Sequence, residues 1–290
     1  MSDRRGRASG VLGVLIAACA WGSWSVFLRP TGLPGSVTAP LLFAGVGVLS
    51  IPWALRDPVQ ARWDRASVLL LLAYTASNAT NVVTFFSAMS TTSVAVAVLT
   101  HSVAPVLVAV LAPRVDGTKA PRAVPAALVA LAGLALVLEP WRPEAWQGEV
   151  ALGAMLGLTS AFAYAACVFM LGRLVVRLGA ARTLSLHSGL AALLVVPFAG
   201  RPLLDVESAD LVPLAGAVVF PGVLAGLAFS HGLRVLGSAR TAVLALLEPV
   251  VACAIGWALW GEPLGPLAIL GGAMVVAAGA MVAGDRTPAA

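Results

Sequence analysis

Charge is what this chain has least of. Only 11% of its 290 residues are Asp, Glu, Lys or Arg, where an ordinary soluble domain carries about 25%. Thirteen acids and eighteen bases cannot clothe a globule of this size in water. A mean hydropathy of +0.95 makes lipid the natural solvent for its surface. Cysteine is equally sparse: Cys19, Cys167 and Cys253 all lie inside apolar runs. An odd, buried set excludes a disulfide framework and reads as small packing residues. The three histidines lack the HExxH or Cys/His spacing of a metal site, and there is no GxxxxGK[ST] phosphate loop. No metal, cofactor or bound nucleotide is therefore expected, nor any catalytic constellation. The net charge of +5 raises the question of nucleic acid. That partner is rejected, because the basic residues sit in short clusters between apolar runs rather than along one face.

What is abundant is uninterrupted apolar sequence. A helix needs about 20 apolar residues to cross a hydrocarbon core of about 30 Å. Charge-free stretches run Gly10 to Leu28, Pro30 to Leu55, Ala66 to Pro113, Ala123 to Leu138 and Val150 to Gly172. They continue over Thr183 to Gly200, Leu211 to Leu233, Thr241 to Gly261 (interrupted only by Glu248) and Pro263 to Gly284. As one helix, Ala66 to Pro113 would be about 72 Å long at about 1.5 Å per residue. It must be a hairpin turning at Ser90-Thr91-Thr92-Ser93. That makes ten spans. With the N-terminus inside, fifteen of the eighteen Lys and Arg fall on inside segments, and only Arg29, Arg142 and Arg201 fall outside. Such a split is what the positive-inside rule requires, and it places both termini inside. Arg4, Arg5 and Arg7 ahead of an apolar run imitate a signal peptide, and Ile16-Ala17-Ala18-Cys19 a lipoprotein cleavage box. The run continues to Leu28, long enough to span, so the segment is read as the first helix.

The second half echoes the first. Pro105 and Pro249 are 144 residues apart, as are Gly117 and Gly261. The segment GVLIAACAWGSWSVF matches GAMLGLTSAFAYAACVF at nearly the same spacing. Five helices per half is an odd number, so the halves enter the membrane in opposite senses, the inverted-repeat plan of many secondary transporters. The expected fold is an all-α membrane protein of ten transmembrane helices in two inverted five-helix repeats, N-in and C-in. Residues 1–9 form a tail, 10–142 the first repeat, 143–284 the second, and 285–290 a second tail.

Trp21-Gly22, Ala245-Leu246-Leu247-Glu248-Pro249, Gly261-Glu262 and the glycine-rich GPLAILGGAMVVAAGAMVAG resemble the EamA family of the drug/metabolite transporter superfamily. The resemblance runs over about residues 10–284. In the first half Ala104-Pro105 stands where the pattern has Glu-Pro, and Gly117-Thr118-Lys119 where it has Gly-Glu. The resemblance implies an exporter or exchanger of amino acids, metabolites or drug-like compounds. It also implies a central cavity between helices one to four and six to nine, with helices five and ten peripheral.

Intramembrane polar groups are the candidates for function. Glu248 is the one acid well inside a span, where an acid costs about 2.5 to 3.5 kcal/mol. It is either a structural carboxyl that fixes helix packing, or the group that couples transport to protons or holds a substrate amine. Pro105 cannot donate to the carbonyl of His101, nor Pro249 to that of Ala245. Broken backbone at membrane depth belongs inside protein or beside a cavity. The two kinks therefore flank the expected substrate site, unless they serve bending alone. Ser77, Asn78, Asn81 and Thr84 share one face of helix three, as a cavity lining or as interhelical glue. Trp21, Ser25, Tyr164, His187 and Ser230 complete the candidates, and His231 is expected at the interface.

The reading is a secondary active transporter in a cell membrane, an exporter of small metabolites by alternating access. Its partners are a small-molecule substrate and the bilayer, with a proton or a counter-substrate as coupling partner. Two alternatives stay open. One is a nucleotide-sugar or phosphate-type antiporter of the same superfamily, for which no intramembrane Lys/Arg cluster is visible. The other is a membrane protein without transport activity.

Overall fold

The computed structural model describes residues 2–117 and 120–285, leaving aside the side chains of residues 2–4. Lys119 and Arg286, counted among the inside charges, lie outside the described residues, as do the side chain of Arg4, the Thr118-Lys119 pair and the tail beyond Asp285. Among the described residues every extended element is helical, apart from one isolated bridge between Thr92 and Gly148. Nine helices are long and apolar enough to cross a membrane: α1 (Arg5–Thr31), α2 (Gly35–Leu55), α3 (Arg65–Thr91), α4 (Val94–Val115), α6 (Val150–Leu178), α7 (Ala180–Phe198), α8 (Ser208–Leu236), α9 (Ser238–Trp260) and α10 (Pro266–Ala283). The shorter apolar α5 (Ala123–Leu138) lies between α4 and α6.

The helices pair: α3 lies along α6, α1 along α8, α2 along α7 and α5 along α10. Small residues permit the close approach. A Cβ on Gly133 would stand 2.6 Å from the Gly271 carbonyl, and one on Gly271 would stand 2.2 Å from the Gly133 carbonyl. The α5–α10 pair is therefore in backbone contact. Gly13 meets the Ala228 carbonyl across α1–α8 in the same way. In lipid no hydrophobic drive joins helices, so this packing, with interhelical hydrogen bonds, does the work.

Both chain ends gather at one end of the bundle, where Arg7 donates to the Asp285 carbonyl at 2.5 Å. The same end is laced by side chains. Asp57 caps α7 through the Ala181 amide at 3.0 Å, Arg177 bridges to Asp64 at 3.3 Å, and Arg182 reaches the Val59 carbonyl at 3.1 Å. Arg173 donates to the Val115 carbonyl at 3.0 Å. Asp64 also accepts from the Ser67 amide at 2.7 Å; this helix cap, helped by Arg177, holds its carboxyl below the usual range. At the opposite end Arg29 pairs with Glu262 in an exposed bridge, and the α3–α4 turn is pinned by Ser93 donating to the Ala145 carbonyl at 2.7 Å.

Helix boundaries depart from the apolar stretches in a consistent direction. The first helix begins at Ser2, so the expected tail of residues 1–9 is largely helical. Helix α6 runs on to Leu178. The α6–α7 and α8–α9 connections shrink to single glycines, Gly179 (φ 90°) and Gly237 (φ 78°), in backbone conformations that glycine alone adopts freely. Arg173, Arg177, Arg182, Arg234 and Arg240, expected in loops, are therefore on helices. Arg240 is the clearest correction. It is fully buried beside Asp285 at 3.9 Å, because the helix continues past the apolar run and turns this guanidinium into the closed end.

Candidate functional site: a polar hollow at two broken helices

Two spans break at mid-depth. In α4 a first arm, Val94–His101, gives way at Ser102–Val103 to a second arm, Ala104–Val115. In α9 the arms are Ser238–Ala245 and Leu247–Trp260, joined at Leu246. Pro105 and Pro249 lack the amide that would continue each ladder, so the carbonyls of His101 and Ala245 lose their helical donors. A third irregularity, a π-helical stretch Val218–Leu224 around Pro221, interrupts α8.

Side chains from α3, α4 and α6 meet at the first break. His101 Nδ1 lies 2.9 Å from the Ser160 hydroxyl, which donates to Asn81 Oδ1 at 2.8 Å. The His101 ring packs against Phe85 and Tyr164 at 4.6 and 5.5 Å between centroids. Ser77 donates to the Ala163 carbonyl at 3.0 Å, and Asn78 stands one turn after Tyr74 on the same helix. Tyr74 in turn meets the His187 ring edge-on at 4.8 Å, which brings the buried α7 histidine to the cluster. Thr84 bonds the Thr80 carbonyl and Ser230 that of Gly226, each within its own helix at 2.8 Å.

Glu248 sits in the first turn after the α9 break, within electrostatic range of Tyr164. Its side chain is half-buried. Among the described residues its carboxyl has no hydrogen-bond partner. Half-buried polar side chains between the two broken helices outline the candidate hollow. Asn78, Asn81, His101 and Tyr164 share that half-buried state. Helix α1 closes the hollow from the other flank. Trp21 donates its indole N–H to the Pro221 carbonyl at 3.0 Å and packs on Phe229 at 5.0 Å. Gly22 presses against the α9 break, where an added Cβ would stand 2.9 Å from the Glu248 carbonyl.

Not every expected residue joins this cluster. Ser25 accepts from Trp260 Nε1 at 3.2 Å, near the Arg29–Glu262 end. His231 pairs with Ser9 at 3.1 Å. Ser160, Tyr74 and Phe85 were not singled out from sequence. Ser160 stands one turn before Tyr164, and Tyr74 one turn before Asn78, so helical spacing from the expected residues could have found both. Two apolar grooves of about 450 Å³ each, one along α4–α5 and one along α1–α8, face outward and hold none of the cluster.

The EamA-like transporter family model matches residues 151–284. Residues 151–284 are thus similar to the EamA-like transporter family. The matched segment carries Tyr164, His187 and Glu248, so it supplies much of the hollow. A protein of Archaeoglobus fulgidus named as an uncharacterized transporter is 29% identical over 270 residues, covering 92% of this chain and 94% of its own. A solved crystal structure superposes with a TM-score of 0.77 at 18% identity, covering 94% of this chain and 96% of that one, which shows the fold alone. Together these findings make the chain a multi-pass membrane protein of a cell membrane, related to transporters of the drug/metabolite superfamily.

Proposed function

We propose that the chain is a secondary active transporter that exports small metabolites by alternating access, through ten helices in two inverted repeats with both termini inside. One observation carries the reading. Exchanging each helix for the one five places on maps the packing onto itself: α3–α6 becomes α8–α1, while α2–α7, α5–α10 and α4–α9 map onto themselves. Paired broken helices at corresponding positions, with polar side chains between them, are the usual seat of a transported substrate.

The symmetry is broken in one respect. The second arm of α4 packs closely on the first arm of α9, whereas the first arm of α4 and the second arm of α9 scarcely touch. All eight residues of Ser238–Ala245 are buried, but only Gly256 of Leu247–Trp260. With the termini inside, the cytoplasmic side is closed and the outer side looser, an outward-facing state. The inverted relation supplies the alternative, in which the outer arms close and the inner arms part.

Comparing metabolites inside and outside cells with and without the gene tests this. The expected result is a compound expelled faster when the protein is present, with saturation and counterflow in proteoliposomes. Flux that never saturates and shows no counterflow would replace the carrier with a channel.

A further inference from the structure

One buried hydroxyl fixes which nitrogen of His101 carries the proton. Ser160 is fully buried, and its Oγ lies 2.9 Å from His101 Nδ1, 2.8 Å from Asn81 Oδ1 and 3.1 Å from the Asn81 carbonyl oxygen. Both Asn81 oxygens accept and neither donates, whereas a hydroxyl has one proton to give. That proton goes to Asn81. Nδ1 must therefore supply the proton of its own bond to Ser160. A neutral imidazole carries only one N–H, so Nε2 is left as a bare acceptor.

The ring sits between Phe85 and Tyr164, at 4.6 and 5.5 Å between centroids, and among the described residues no carboxylate bonds it. A cation held there at membrane depth without a counter-charge would be costly, so the neutral form is the stable one. Among the described residues Nε2 has no hydrogen-bond partner. Unlike Nδ1 of His187, which is also without a partner, it is not sealed inside the protein. It stands on the edge of the ring away from Ser160, on a half-buried side chain at the end of the first arm of α4. A compound in the hollow can reach it.

We propose that His101 Nε2 selects the transported compound by accepting a hydrogen bond from an uncharged N–H or O–H group, that of an amide or a hydroxyl, while the body of the compound lies against Phe85 and Tyr164. This rests on the transporter reading and deepens it. Ser160 is the positioning residue that holds the tautomer. A neutral imidazole has no charge to offset the lost hydration of an ammonium, and a carboxylate would bring acceptors to an acceptor. An uncharged donor meets neither cost.

Magnetic resonance of the full-length protein in nanodiscs, isotope-labelled at the histidine ring nitrogens, tests this. The His101 signals are identified by replacing His187 and His231 in turn. The expected spectrum shows a protonated Nδ1 and an unprotonated Nε2, whose resonance moves saturably with benzamide and with benzyl alcohol. N,N-dimethylbenzamide and benzyl methyl ether, which lack the donor, should leave it in place. Affinities read from the thermal unfolding midpoint should favour the donor-bearing member of each pair by about fivefold, the scale of one neutral hydrogen bond. His101→Gln, whose Oε1 reaches toward the Nε2 position, should keep that preference. His101→Asn, which retains a donor for Ser160 and nothing at Nε2, should lose it. The reverse order would reduce His101 to a bond between α4 and α6 and overturn the proposal. A proton on Nε2 would overturn it as well, and that is read on the unaltered protein even where a variant fails to fold. Equal binding within both pairs, or no binding of any probe, would also overturn it, while the efflux comparison judges transport separately.

Discussion

Gly22→Ala is the smallest change that reaches the hollow. The added Cβ would lie 2.7 Å from both Cβ and Cγ1 of Val251 and 2.9 Å from the Glu248 carbonyl oxygen. Carbon atoms settle about 3.5–4.0 Å apart, so α1 and α9 must separate by roughly 1 Å. No rotamer of Val251 relieves the clash, because its Cβ is fixed by the backbone, and the carbonyl cannot rotate away without disturbing the turn that carries Glu248. Overpacking of this kind costs about 1–3 kcal/mol. The displacement falls where the hollow is walled, so a loss of transport beyond the loss of folded protein is expected. The assay pairs the thermal midpoint in detergent with efflux rate per folded molecule. Gly189→Ala is the control, since a Cβ there meets nothing within 4 Å. If Gly22→Ala matched the control in both readouts, α1 would not be held against the break as described, and the wall of the hollow would need redrawing.

Other outcomes follow from the same contacts. Trp21→Phe keeps the ring on Phe229 but removes the 3.0 Å bond to the Pro221 carbonyl; a loss of about 0.5–1.5 kcal/mol is expected, read as a lower midpoint, and an unchanged midpoint would contradict it. Arg240→Ala leaves buried Asp285 without this partner and is expected to destabilise by about 3–5 kcal/mol; Arg240→Lys, which restores the charge, should recover part of the loss in thermal unfolding. Asp64 has its carboxyl pKa lowered in the folded chain by the Ser67 amide, so its contribution is present above the ordinary carboxylate range and fades as pH falls through the lowered value. The stability gap between wild type and Asp64→Asn should therefore close on acidification, and a gap that widens would refute the cap.

Much of this architecture is legible in one sequence because lipid forces each span to satisfy its own backbone, so length and polarity alone mark it. The α3–α4 turn falls at Thr92–Ser93, inside the polar cluster Ser90 to Ser93. The breaks in α4 and α9 stand where Pro105 and Pro249 withhold a donor. Pro221 carries the same signal for the π-helical stretch of α8. The corners at Gly179 and Gly237 were hidden for a different reason. Arginines near a helix end look like loop, but a helix that rises beyond the hydrocarbon keeps its charges on helical backbone, as Arg173 and Arg177 show. The partners of His101 were also illegible. That Ser160 on α6 would meet it depends on tertiary packing, which no local pattern encodes, although Gly157 one turn earlier marks the close approach: a Cβ there would stand 1.9 Å from Thr100 Oγ1.

Spin labels at Val94 and Leu259 report the outer arms of α4 and α9, and labels at Arg114 and Arg234 report the closed end. Pulsed dipolar distances measured in nanodiscs, with and without transported compound, test the exchange of the two arms directly. The account predicts two populations moving in opposition, the outer distance shortening as the inner one lengthens. Distances that change together, or a closed end that never opens under turnover, would contradict it.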